Sequence, residues 1–171
     1  MIDVDASSRL DSGETQPTES KKRKSKVSAV RARSQARRCV LQALYQWQLT
    51  EQSFSEILAQ FIERDEYKTA ESAYFHEVLS GAIEHYQALS VRVTEFADRP
   101  WEQMDPIERA VLLIGMYELI HRLDVPYRVV VNEAVELTKQ FGATDGFKYI
   151  NALLDRAARD IRAGERKHSR N

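Results

Sequence analysis

Large apolar residues in this chain recur at every third or fourth position, and that period constrains the fold more than any other feature. Ala36, Val40, Ala43, Leu44 and Trp47 follow it, and so do Phe54, Ile57, Leu58, Phe61 and Ile62. A longer series contains Tyr74, Phe75, Val78, Leu79, Ala82, Ile83, Tyr86 and Leu89, running on or restarting through Val93, Phe96 and Ala97. Residues so spaced share one face of an α-helix, whereas the faces of a strand alternate at every second residue. The starts are marked as well. Ser53 with Glu56, and Asp105 with Glu108, have the spacing of capping boxes, and Pro106 suits a first helical position because its missing N–H costs nothing there. These signals predict a helix over about 33–50 and another over about 106–122.

Val129, Val130 and Val131 would suggest a strand if taken alone. The wider series Val130, Ala134, Leu137 or Thr138, and Phe141 has helical period, and Gly142 is a plausible stop. Phe147, Ile150, Leu153, Leu154, Ala157, Ala158 and Ile161 form the face of a last helix, with Thr144 or Asp145 before it. Six or seven helices and no credible strand predict an all-α domain over residues 31–162. Residues 1–30 contain almost no large apolar group and are expected to be a disordered tail, acidic and then lysine-rich. Residues 163–171 are expected to be a frayed basic end.

Charge is strongly segregated. Residues 1–20 carry Asp3, Asp5, Asp11, Glu14 and Glu19 against Arg9, whereas residues 21–38 carry nine basic side chains and no acid. The remainder has 15 basic and 21 acidic residues. A basic block on an otherwise acidic protein attracts polyanions through local potential, although it is also consistent with a solvated arm. Arg31, Arg33, Arg37, Arg38, Gln42 and Tyr45 lie toward the start of the first helix or off its apolar stripe. Arginine's planar fork suits phosphate oxygens, and Arg33 and Arg37, four residues apart, share a face.

A catalytic constellation is not expected. His76, His85, His121 and His168 fall in different elements and form no ligand pair, the single Cys39 has no disulfide partner, and the six glycines are dispersed rather than gathered in a phosphate-binding loop. Neither a catalytic nor a metal site is predicted, and no cofactor. No apolar run approaches the roughly 18 residues of a membrane span, and the acidic, polar start lacks a secretory signal. A cytoplasmic protein without a membrane partner is the expectation. Its function would be nucleic-acid binding or that of an all-helical protein adaptor or dimeric structural module.

Several longer motifs narrow this further. Residues 36–49 read ARRCVLQALYQWQL, residues 108–119 ERAVLLIGMYEL and residues 124–137 DVPYRVVVNEAVEL. Phe141-Gly-Ala-Thr-Asp145 is followed by Lys148, Tyr149, Asn151 and Leu153. Together these resemble, in order, the NusB family of transcription antitermination factors. The resemblance implies seven helices in two packed bundles. It also implies a noncatalytic factor that binds boxA-like single-stranded RNA together with a small-subunit ribosomal protein, called NusE in this role. That pair would join an antitermination complex on RNA polymerase and support ribosomal RNA transcription.

Carried over by residue, the resemblance implies phosphate contacts from Arg33 and Arg37, with Arg31 adding charge beside them, and RNA contacts near Gln42, Asp145, Lys148 and Tyr149. It places Tyr45, Leu49 and Glu108 near the ribosomal-protein partner. Three residues have competing structural roles: Asp145 as a helix cap, Tyr149 as a core aromatic, and Glu108 as the closing member of its capping box.

Overall fold

The computed structural model describes residues 19–168, and every helical segment expected above is present. The order is α1 Glu19–Leu49, α2 Phe54–Phe61, α3 Asp65–Lys68, α4 Ser72–Glu84, α5 Tyr86–Thr94, a 3₁₀ turn Trp101–Gln103, α6 Pro106–His121, α7 Tyr127–Phe141, α8 Gly146–Ile161 and α9 Ala163–His168. Among the described residues there is no strand. Seven of these helices have eight or more residues, and the short α3 and α9 are additional to the seven expected.

Both capping boxes form. Ser53 accepts from the backbone N–H of Glu56 while Glu56 accepts from that of Ser53. Asp105 Oδ1 accepts from the N–H groups of Ile107 at 2.8 Å and Glu108 at 2.9 Å. Val129–131 lie inside α7, so period prevails over β-propensity there. The long third series breaks at His85 and restarts as α5.

Helix α1 packs with α2, α3 and α4 as one bundle, and α7 and α8 close against α6 as the other. Helix α6 also touches α1, α4 and α5, so it is the element common to both bundles. Its burial follows from that position. Every residue from Ala110 to Leu119 is buried, far more than the single stripe of a surface helix. A helix surrounded by packed neighbours is apolar on most sides. Close approach requires small residues at two points. A Cβ added at Gly115 would lie 2.8 Å from Leu154, and one at Gly81 would lie 2.2 Å from the Tyr117 ring.

Carbonyls at the C-terminal end of α6 receive side-chain bonds from just beyond α8. Arg162, buried just after α8, donates to the carbonyls of Glu118 at 3.1 Å, Leu119 at 2.7 Å and Arg122 at 2.9 Å. An arginine at a helix C-terminus also complements the negative end of the helix dipole.

The termini differ from expectation. Helix α1 begins at Glu19 instead of near Arg33, so residues 19–30 are helical; the earlier part of the expected tail lies outside the described residues. Residues 19–31 are exposed throughout, with Ser28, Val30 and Arg31 lining a shallow cleft beside Thr69. They contain neither glycine nor proline, they include good helix formers, and they continue a helix already nucleated by the core. At the other end residues 163–168 are helical, and residues 169–171 lie outside the described residues.

Gly81→Ala is expected to lower unfolding free energy by about 1–3 kcal/mol, because the methyl group enters the space of a packed ring. Urea denaturation measures this, and an unchanged midpoint would show that the Tyr117 ring yields freely.

Candidate nucleic-acid and partner interface

Helix α1 has two chemically distinct sides. Arg37, Val40, Leu41 and Leu44 fall at helical spacing on its buried side. Lys24, Arg31 and Arg38 recur at intervals of seven on the other side and are exposed. At about 1.5 Å per residue, successive members of that basic row stand roughly 10 Å apart along the helix.

Arg37 therefore does not join the phosphate-binding surface expected of it. Its side chain is only 2% exposed and faces α6, where Glu118 is 1% exposed. Arg37 Nη2 donates to Glu118 Oε1 at 2.7 Å, and its Nε lies 3.1 Å from both carboxylate oxygens. Glu133 stands 3.7 Å from Arg37 Nη1 and accepts from Ser34 Oγ at 2.7 Å. Burial pushes the Glu118 carboxyl up from its ordinary range, and the Arg37 guanidinium opposes that shift.

Arg33 is committed as well, though less deeply. Its fork donates to Glu71 through Nε at 2.9 Å and Nη2 at 2.8 Å, and these bonds hold the Glu71 carboxyl below its ordinary range. Arg33, Arg37 and Arg122 surround the buried Tyr74 ring, with guanidinium carbons 4.7, 5.1 and 4.8 Å from its centroid. Arg122 also grips Asp124 through two 2.8 Å bonds. Of the three arginines first expected at RNA, only Arg31 is exposed.

The segment before α8 is available to a ligand. Asp145 has φ 66°, in the left-handed region that aspartate tolerates better than most residues, and its side chain caps nothing. It pairs at 3.1 Å with Lys148, and both side chains are about two-thirds exposed. Tyr149 is half-buried against the core, with Arg99 over its ring at 4.0 Å and its phenol pushed up by burial. One face of that ring is thus occupied. Gln42 is also half-buried, accepting from Arg64 at 3.4 Å.

The structure brings α1 and α8 onto one continuous surface through α7. A cleft lined by Ser34, Arg38, Glu133, Glu136, Lys139 and Gln140 runs between α1 and α7. Lys139 then lies 5.1 Å over the Phe147 ring, beside Lys148. Lys139 belongs to this surface although sequence reasoning did not single it out, and Arg38, noted there among the cations of the first helix, was given no contact of its own. Their signal was only that they are cations on helical faces, which the partner helix alone could select.

At the other end of α1, Tyr45 is 39% and Leu49 57% exposed. Gln48 donates to the Pro106 carbonyl at 2.9 Å, bringing this end of α1 to the start of α6. Glu108 is buried there, closing its capping box and lying 3.4 Å from Arg99. It supports that end from within. Arg99 thus contacts both Glu108 and Tyr149, a link that no local pattern announced.

Among the described residues no group of three or more histidine, cysteine or acidic side chains could hold a metal ion. No helix among them is long and apolar enough to cross a membrane. The molecule is a two-bundle helical scaffold that presents a polar cleft of mixed charge at one side, an exposed basic row along its first helix, and exposed aromatic and aliphatic residues at the end of that helix. A model of the NusB family matches residues 34–159. The chain is 45% identical over 139 residues to the transcription antitermination protein NusB of Alcanivorax borkumensis, covering 81% of this chain and 93% of that protein. To the NusB protein of Ralstonia pickettii it is 44% identical over 142 residues, covering 83% and 92%. The solved T. maritima NusB superposes with a TM-score of 0.66 at 26% identity, covering 74% of this chain and 90% of that one. A chain from the crystal structure of antitermination factors NusB and NusE in complex with dsRNA shares the fold, with a TM-score of 0.63 at 21% identity, covering 76% and 98%. This chain belongs to the NusB family.

Arg37→Ala is expected to cost about 3–5 kcal/mol of stability by leaving Glu118 buried and unpaired. Arg37→Met combined with Glu118→Leu should recover most of that in chemical denaturation, and a double variant no better than Arg37→Ala would contradict the pairing. A second expectation concerns acid. Hydrogen bonds from Arg122 hold the Asp124 carboxyl at about 2 against its ordinary 3.8. That contribution is complete above the ordinary value and is lost as pH falls through about 2. The stability gap between the parent and Asp124→Asn should therefore narrow on acidification from about pH 4 to about pH 2, and a constant gap would count against the assignment.

Proposed function

We propose that this protein is a noncatalytic transcription antitermination factor. It binds boxA-like single-stranded RNA jointly with a small-subunit ribosomal protein, NusE, and assembles with it on RNA polymerase to support ribosomal RNA transcription. The observation that carries this reading is family membership across residues 34–159, the whole of the packed helical body apart from its last turns. Relatives at 44–45% identity are named as transcription antitermination proteins.

The surfaces support a division of labour. Arg31 and Arg38, with Lys139 and Lys148, supply cations to the phosphate backbone, while Asp145 and Gln42 offer acceptors that choose among bases. Arg33 and Arg37 act from beneath by fixing the rotation of α1. Tyr149 shapes the floor of the surface. Tyr45 and Leu49 meet the ribosomal protein, since an exposed aromatic and aliphatic pair on a rigid helix makes a suitable interface anchor, and Glu108 holds the neighbouring helix start in place.

The test is competition between boxA-like RNA and a scrambled RNA, for the chain alone and with its ribosomal partner. The complex should prefer the boxA-like sequence; equal binding of both would overturn sequence-specific recognition. Arg31→Ala is expected to weaken all RNAs alike and reduce the salt slope by about 1, whereas Asp145→Ala should alter preference with little change in slope. Leu49→Asp should lower partner affinity by about tenfold or more without altering the fold.

A further inference from the structure

Residues 19–31 of α1 extend beyond the packed domain as an exposed helix roughly 20 Å long. They carry Lys21, Lys22, Arg23, Lys24, Lys26 and Arg31 against the single acid Glu19. This segment precedes the matched family region, which begins at residue 34. We infer that it is a rigid basic arm that holds the sugar-phosphate backbone of RNA flanking the element bound on the domain, an inference resting on the RNA-binding reading above.

Three observations identify this occupant. The Lys24, Arg31 and Arg38 row runs from the arm to the rim of the cleft, where Arg38 and Lys139 stand beside Glu133 and Glu136, so a strand leaving that mixed-charge cleft along α1 meets cations opposed on the arm by Glu19 alone. The arm is strongly basic while residues 39–171 carry more acids than bases, which concentrates attraction for a polyanion along α1. Residues 19–31 contain no aromatic, leucine or isoleucine; Val27 and Val30 are their only large aliphatic groups. That composition provides neither an apolar face to enter a membrane nor a platform on which bases stack. Recognition there is of phosphate, independent of sequence. Helical continuity with the anchored part of α1 holds the arm in a fixed direction, so less orientational freedom is lost on binding than by a flexible tail.

The experiment uses the full chain with its ribosomal partner and two RNAs: the boxA-like element alone, and the same element carrying an oligouridine tract on either side. One variant replaces Lys21, Lys22, Arg23, Lys24 and Lys26 with glutamine; a second, Ser28→Pro, retains every charge but kinks the arm. The parent should bind the longer RNA more tightly than the element. The glutamine variant should bind the element normally, lose the gain from the flanks, and show a salt slope on the longer RNA smaller by about 2–4. Ser28→Pro should lose most of the gain as well. A gain that survives glutamine substitution overturns the arm as an RNA contact. A gain lost with glutamine but kept in Ser28→Pro overturns its rigid geometry. Failure of the parent to prefer the boxA-like element over a scrambled one instead refutes the functional reading, while the effect of glutamine on longer RNA still decides whether the arm contacts RNA.

Discussion

The buried pair between Arg37 of α1 and Glu118 of α6 constrains the rest of the molecule. Removing two charges from water costs several kcal/mol for each ion, and attraction in the interior offsets that cost only when fork and carboxylate are well aligned. The three short contacts between them meet this requirement. They also fix how α1 is rotated. A shift of register by one residue would turn the helix by about 100° and separate both charges from their partners. Because α6 lies against both bundles, this rotation is set relative to the whole core.

The outward face of α1 follows from the inward one. With Arg37, Val40, Leu41 and Leu44 directed inward, Lys24, Arg31 and Arg38 must face solvent. The Tyr74 cluster strengthens the same arrangement by binding Arg33 and Arg122 around one buried ring. Arginine is well suited to this because its plane stacks on the ring while its edge still bonds to carboxylates. On the proposed reading, one rigid helix then serves two partners. Its basic half meets RNA, its Tyr45 and Leu49 end meets protein, and a single packed scaffold fixes the distance between them.

The candidate surface is assembled from elements that are far apart in the chain. The α1–α7 cleft and the start of α8 adjoin through Lys139 and Phe147. Asp145 stays exposed because its left-handed backbone turns into α8 without using the carboxylate as a cap. The competing structural reading of Tyr149 accounts for its half-buried ring under Arg99. Glu108 performs its capping role while lying beside Arg99, so its expected place near a partner is an indirect one.

The sequence by itself determined the helices, their two capping boxes and most of the core. Those depend on residues within about four positions of one another, and side-chain period and local hydrogen bonding express them directly. It also showed a concentration of positive charge near the first helix. Which charges remain free was decided only by tertiary structure. Arg37 and Arg38 are adjacent and chemically identical, yet Arg37 meets Glu118 across a separation of 81 residues while Arg38 faces solvent. A helix presents neighbouring residues in directions about 100° apart, and the fate of each charge depends on which helix the fold brings against that direction.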